Sequence, residues 1–270
     1  MDLLIKDVMR IIESHAPLSY KEGYDNIGLM VGDEMAEVTG ILFSMDTTLN
    51  VIDEALEKGA NLIVSHHPIF FMKPDRITQS TLQGKKVSKL LLNNLNVYAA
   101  HTNLDSVKNG MNDTIVRMLG FRDVDILDQC EFDYESGIGR IVHVRDPLTV
   151  GELLKRVEDV LGATSIRYSG STRKTIHRLA VINGSGQDYF EMARAAGADC
   201  ILTGDTTYHG VQDMHEIGIA VIDPGHFSTE QLVYFTIMKS ISKEILSRKD
   251  VPIFYSETEK DPFNLYCRQI

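Results

Sequence analysis

Lys58-Gly59-Ala60-Asn61-Leu62-Ile63-Val64-Ser65 has a near counterpart in Ala196-Gly197-Ala198-Asp199-Cys200-Ile201-Leu202-Thr203, 138 residues further on. Each segment leaves a helical pattern through glycine and enters a short apolar run that reads as a strand. The same spacing sets Ile41-Leu42-Phe43 against Leu179-Ala180-Val181. Shared βαβ grammar can give such a match without common descent, but duplication of one α/β unit is the reading carried forward.

Working outward, residues 3 to 14 carry Leu3, Leu4, Val8, Ile11 and Ile12 at the spacing of an amphipathic helix. Strand, helix, strand, helix, strand then follow at 40–45, 50–58, 61–65, 78–93 and 97–100. The charged segment Arg122 to Ser136 separates this pattern from a second series. That series has strands at 139–144, 165–168, 179–182, 200–203 and 219–222, and helices at 148–161, 189–196 and 228–246. The expected fold class is α/β, with two similar lobes whose mixed or mostly parallel sheets are covered by helices. The expected boundaries are 1–125 for the first lobe and 126–225 for the second. Residues 226–270 form a C-terminal helix and strand that can pack back on the first. Such lobes place corresponding strand ends opposite each other, and a cleft there is the opportunity for a shared site.

The 270 residues are 43% hydrophobic, enough to fill one large or two modest cores, and Lys+Arg 27 against Asp+Glu 38 gives a formal charge of -11. That balance argues against a general nucleic-acid surface. Cys130, Cys200 and Cys267 lack metal-knuckle spacing and are odd in number, which favours a reducing compartment. The acidic start has no leader pattern and charged or amide residues interrupt every apolar run, so the expectation is a cytoplasmic protein with no membrane segment.

Three clusters stand at expected strand exits or helix starts. Ser65-His66-His67-Pro68 follows the first of the matched runs. Adjacent histidines on an extended strand point to opposite faces, but Pro68 favours a turn in which both rings approach one place. His101-Thr102-Asn103-Leu104-Asp105 supplies a carboxylate able to bridge two cations. Its His101 can bind substrate, support a ligating carboxylate or simply satisfy a backbone carbonyl. In Asp223-Pro224-Gly225-His226-Phe227-Ser228-Thr229-Glu230, a helix starting near His226 puts His226 and Glu230 on one face. An ordinary helix start, capped by Asp223, is the plainer alternative.

Together His66, His67, Asp105, His226 and Glu230 make three imidazoles and two carboxylates. The mixture is too nitrogen-rich for calcium and lacks the thiolates of a cysteine-rich zinc site, so it suits a pair of first-row divalent ions: iron, zinc or manganese. Asp205 and His209 are a further substrate-facing or supporting pair, with a cap and a surface histidine as the alternative. His101 and His209 are the candidate catalytic side chains. Asp25 and Asn26, before Gly28 and Gly32, form either a functional loop or a turn entering Ile41.

These motifs carry a resemblance. Asp25-Asn26-Ile27-Gly28-Leu29-Met30-Val31-Gly32, Ser65-His66-His67-Pro68, His101 to Asp105, Thr203-Gly204-Asp205 with His209, and Gly225 to Glu230 run in the order of the NIF3-like (DUF34) family. Its members are often named GTP cyclohydrolase 1 type 2 homologues and include the bacterial YbgI-type proteins. The resemblance implies a two-lobed α/β subunit, a dinuclear metal centre on the same five residues and a toroidal homohexamer. It also implies the form without the inserted domain of some relatives. The function expected is a metal-dependent hydrolase of a small polar or nucleotide-like substrate. A non-catalytic metal-binding, metallochaperone or interaction protein is the alternative.

Overall fold

The computed structural model describes residues 2–266; Cys267 therefore lies outside the described residues. In chain order the elements begin with α1 (Ile5–His15), β1 (Gly28–Val31), β2 (Ile41–Ser44), α2 (Leu49–Lys58), β3 (Leu62–Ser65), α3 (Leu82–Leu92), β4 (Asn96–Ala99) and α4 (Thr102–Ser106). They continue with α5 (Met111–Met118), β5 (Val124–Gln129), β6 (Gly137–Thr149), α6 (Val150–Leu161), β7 (Arg167–Tyr168), β8 (Thr175–Ser185) and α7 (Phe190–Ala195). Last come β9 (Cys200–Gly204), α8 (Tyr208–Glu216), β10 (Ala220–Asp223), α9 (His226–Arg248) and β11 (Ile253–Tyr255). The described residues pack as two units, one of those up to Val107 with Tyr234–Glu259, the other of Lys108–Val233 with those from Lys260 to Tyr266.

The first unit's sheet runs β1-β4-β3-β2-β11. Strands β2, β3 and β4 are buried throughout and pair in parallel, which is why each reads as a largely apolar run rather than an alternation. Helix α2 starts where the Thr48 side chain accepts from Val51 N and stops at Gly59, whose φ of 69° is the left-handed conformation that ends a helix. Burial of Leu42, Ile63 and Val97 against Val51, Ile52 and Ala55 fixes which face α2 turns to the sheet. Each such aliphatic side chain contributes roughly 1.5–3 kcal/mol. The stretch before Gly32 is not a plain turn into Ile41: it forms β1, antiparallel to β4. On the other edge, β11 joins β2 in parallel.

The second unit's sheet runs β5-β6-β8-β9-β10-β7. The charged stretch 122–136, expected as a separator, contains β5. Its sequence Val-Asp-Ile-Leu-Asp-Gln is half exposed, as an edge strand beside β6 should be. Arg140 of β6 is buried and donates through Nε to Asp113 of α5 at 2.6 Å and through a terminal nitrogen to the carbonyls of Gly137 and Gly139.

The 138-residue match persists in the pairing. Ile41 lies opposite Leu62 where β2 meets β3, and Leu179 lies opposite Cys200 where β8 meets β9. In each unit the matched run lies between two parallel neighbours, β3 between β2 and β4 and β9 between β8 and β10, and an antiparallel edge strand, β1 beside β4 or β7 beside β10, closes that side of the sheet. Two similar α/β lobes with mixed sheets are thus what the sequence encodes.

Candidate metal-binding residues

In the first unit the chemistry collects at the exits of β2, β3 and β4. Past Ser65 the chain keeps pairing with the β2 exit, His66 N donating to Ser44 O and His67 N to Met45 O, while Ser65 Oγ bonds His67 O and bends the backbone. The two rings accordingly come to 5.1 Å between centroids instead of pointing to opposite faces. His101 stands before α4, its ring 5.2 Å from that of His66 and 5.4 Å from that of His67. One ring nitrogen from each of His66, His67 and His101 lies within 4.8 Å of the others. Asp105, buried on α4, brings Oδ1 to 3.6 Å from His66 Nε2.

The far side of each ring is held by oxygen. His66 Nδ1 is 2.9 Å from the Ala100 carbonyl, His67 Nδ1 is 3.1 Å from Asp46 Oδ1, and His101 Nδ1 is 3.0 Å from Asp25 Oδ2. Asp25 also accepts from Thr102 N and Thr102 Oγ1. Burial pushes its carboxyl upward, but the hydrogen bonds and charge of His101 and the Thr102 donors outweigh this and hold it well below the usual carboxylate range. Phe71 sits at the rim, half exposed, with its ring 5.7 Å from His101 and 6.2 Å from His67.

In the second unit the candidates collect where β10 gives way to α9. Asp223, buried, accepts from Gly225 N, Thr206 N, Thr206 Oγ1 and Arg167, so its role is to tie the loops after β9 and β10 together. Helix α9 starts at His226, and the four-residue spacing puts His226 Nε2 2.8 Å from Glu230 Oε2. His226 Nδ1 is 2.8 Å from Asp205 Oδ2, and Asn183 Nδ2 donates to the other Glu230 oxygen at 3.0 Å. Gly184 has φ of 58° and lies so close to Glu230 that a Cβ would collide with the carboxylate. His209 is exposed on α8 with its ring against Tyr208, while Asp205, expected beside it, bonds His226.

Each donor set therefore contains imidazole and carboxylate together, and its histidines have the paired oxygens that orient metal-ligating imidazoles. Sequence reasoning singled out the histidines and the carboxylates Asp105 and Glu230 by type, but did not pair Asp25, Asp46 and Asp205 with His101, His67 and His226. Their partners are 76, 21 and 21 residues away in the chain. Asp46 and Asp205 share a strand-exit position with the histidines they meet, whereas Asp25 precedes β1.

Residues 3–262 match the family described as Duf34/NIF3 (NGG1p interacting factor 3). A Clostridium acetobutylicum protein named GTP cyclohydrolase 1 type 2 homolog is 50% identical over 265 residues, 97% of this chain and 99% of that relative. The crystal structure of a Staphylococcus aureus hypothetical protein has a TM-score of 0.88 at 28% identity, covering 98% of this chain and 100% of its own. That of a Bacillus cereus protein related to NIF3 has a TM-score of 0.91 at 22% identity over 98% and 100% of the two chains, a likeness of fold. Among the described residues no helix is long and apolar enough to cross a membrane.

Proposed function

The chain belongs to the Duf34/NIF3 family, and from that premise we propose that it holds a pair of divalent metal ions on His66, His67, Asp105, His226 and Glu230 and uses them to hydrolyse a small polar or nucleotide-like substrate. The observation that carries the metal reading is the gathering of donor atoms: one ring nitrogen each from His66, His67 and His101 lies within 4.8 Å of the others. His226 Nε2 lies 2.8 Å from Oε2 of buried Glu230, and His66 Nε2 lies 3.6 Å from Oδ1 of buried Asp105.

A pair of divalent ions supplies Lewis acidity and makes water a nucleophile near neutral pH. The chain's part is to fix the ligands: Asp46 aims His67, Asp205 aims His226, and Asn183 holds the second Glu230 oxygen. Iron, zinc and manganese all suit imidazole with carboxylate. His209 is open to a substrate from the surface, whereas His101 sits with the donors of the first unit. The name of the Clostridium acetobutylicum relative supports a nucleotide-like substrate. The family resemblance supports a homohexamer acting in the cytoplasm.

A metabolite screen of metal-replete protein beside metal-free protein tests the reading. Metal-dependent product formation supports the hydrolase; reversible metal transfer without turnover makes the chain a metal-holding protein instead. Light scattering on the same sample should give about six times the mass of the 30.3 kDa chain, and a persistent monomer contradicts the ring.

A further inference from the structure

We propose that the cleft between α8 and the β7 edge of the second unit's sheet is a ligand site of its own, built for a flat aromatic molecule that carries one anionic group. The sheet ends early there, since β7 is only Arg167 and Tyr168, paired with Asp223 and Ile222 of β10. Helix α8 runs from Tyr208 to Glu216, roughly 12 Å of axis. Its residues Tyr208, Val211, Gln212 and His215 recur at the three- and four-residue spacing of one helical face. Between that face and the strands β7 and β10 lies a cavity of about 540 Å³, within the roughly 300–1,000 Å³ of small-molecule sites. None of the residues lining it is among the proposed metal donors, and the inference does not rest on the metal reading.

The walls are aromatic and aliphatic. Tyr168 comes from β7 and Tyr208 from the first turn of α8, 49% and 74% exposed, and Val211 and Val221 line the cavity with them. Rings left in solvent at the mouth of a cavity offer their faces to a planar partner, and a conjugated ring is the ligand that covers them best. The Tyr208 ring is braced edge-on by His209 at 5.2 Å between centroids. Charge comes from Arg167. Its Nη2 donates to Asp223 Oδ2 and to Thr206 O, while Nε and Nη1 have no acceptor among the described residues. Asp223 is buried and also accepts from Thr206 N and Thr206 Oγ1. It therefore fixes the guanidinium in place and leaves the other two nitrogens for a carboxylate or phosphate oxygen. The far end of α8 differs: Gln212 Nε2 donates to Glu216 Oε1 at 3.3 Å, and that carboxylate repels an anion. The anionic group thus belongs at Arg167 and the ring along α8.

Saturation-transfer NMR and calorimetry on the full-length protein as purified test this with two probes, indole-3-acetate and adenosine 5′-monophosphate, beside their neutral counterparts indole-3-acetamide and adenosine. At least one anionic probe should bind, about 10-fold more tightly than its neutral counterpart. Which of the two binds names carboxylate or phosphate as the anionic group. Arg167→Gln should abolish that preference and leave the affinity of the neutral compound as it was. Tyr208→Ala, at an exposed position that tolerates truncation, should weaken the anionic and the neutral compound alike, by about 10-fold. Glu230→Gln, which alters a proposed metal donor and not the cleft, should bind the probes as wild type does. Failure of both anionic probes to bind wild type, or affinities unchanged in both Arg167→Gln and Tyr208→Ala, would overturn the assignment. So would binding that Glu230→Gln abolishes, because the probe would then sit at the metal donors.

Discussion

At the scale of single residues the account turns on carboxylates placed against imidazole nitrogens. Glu230 is buried, bonded by Asn183 and in contact with His226 Nε2. Glu230→Gln keeps the shape and the Asn183 neighbour but removes a negative ligand. The metal content of purified protein should fall by at least one ion, and any hydrolytic activity with it, while circular dichroism stays that of the wild type. Unchanged, equally tight metal would remove Glu230 from the ligand set. The positions of His66 and His67 past β3 and of His226 at the start of α9 were legible in the sequence, because each follows an apolar run that reads as a strand. Asp25 and Asp205 were legible as candidate functional residues but not by their histidine partners, since those partners are set by tertiary pairing that has no period along the chain.

At the scale of elements, strands β2, β3 and β4 bury every residue and announced themselves as largely apolar runs, whereas β1 and β5 are partly exposed and were not read as strands; the short β7 was, within 165–168. The segment after β11 is held by a buried carboxylate. Glu54 of α2 accepts from Ser256 Oγ at 2.7 Å, Glu257 N at 2.9 Å, Thr258 Oγ1 at 2.8 Å and Thr258 N at 3.3 Å. Burial raises the Glu54 carboxyl, but these four donors more than offset it, and the net shift is downward. Glu54→Ala strands the donors and should cost about 1–3 kcal/mol at neutral pH, read by urea unfolding. Because the folded-state pKa is depressed, the stabilisation is fully present above the ordinary glutamate value of about 4.3 and is lost as the pH falls below it. Wild type and variant should therefore converge in acid. A gap that holds constant through that range would show that Glu54 does not anchor the segment as a carboxylate.

At the scale of the whole molecule, one sequence spacing foretold a structural repeat. The pairing of Ile41 with Leu62 returns as Leu179 with Cys200, and an antiparallel edge strand closes one side of each sheet, β1 beside β4 and β7 beside β10. Repetition of the scaffold did not repeat the donors. His67 of the first unit corresponds at the same spacing to Asp205 of the second, and there the acid orients a histidine instead of standing as one. The two similar units therefore carry unlike side-chain groups, three imidazoles in one and a single imidazole beside Glu230 in the other. The most direct test of the central claim is anomalous diffraction from crystals of protein purified with its own metals. Two anomalous peaks per chain are expected, bonded among them by His66, His67, Asp105, His226 and Glu230. Crystals with no peak at these residues, or with ions bound only elsewhere, would contradict the account.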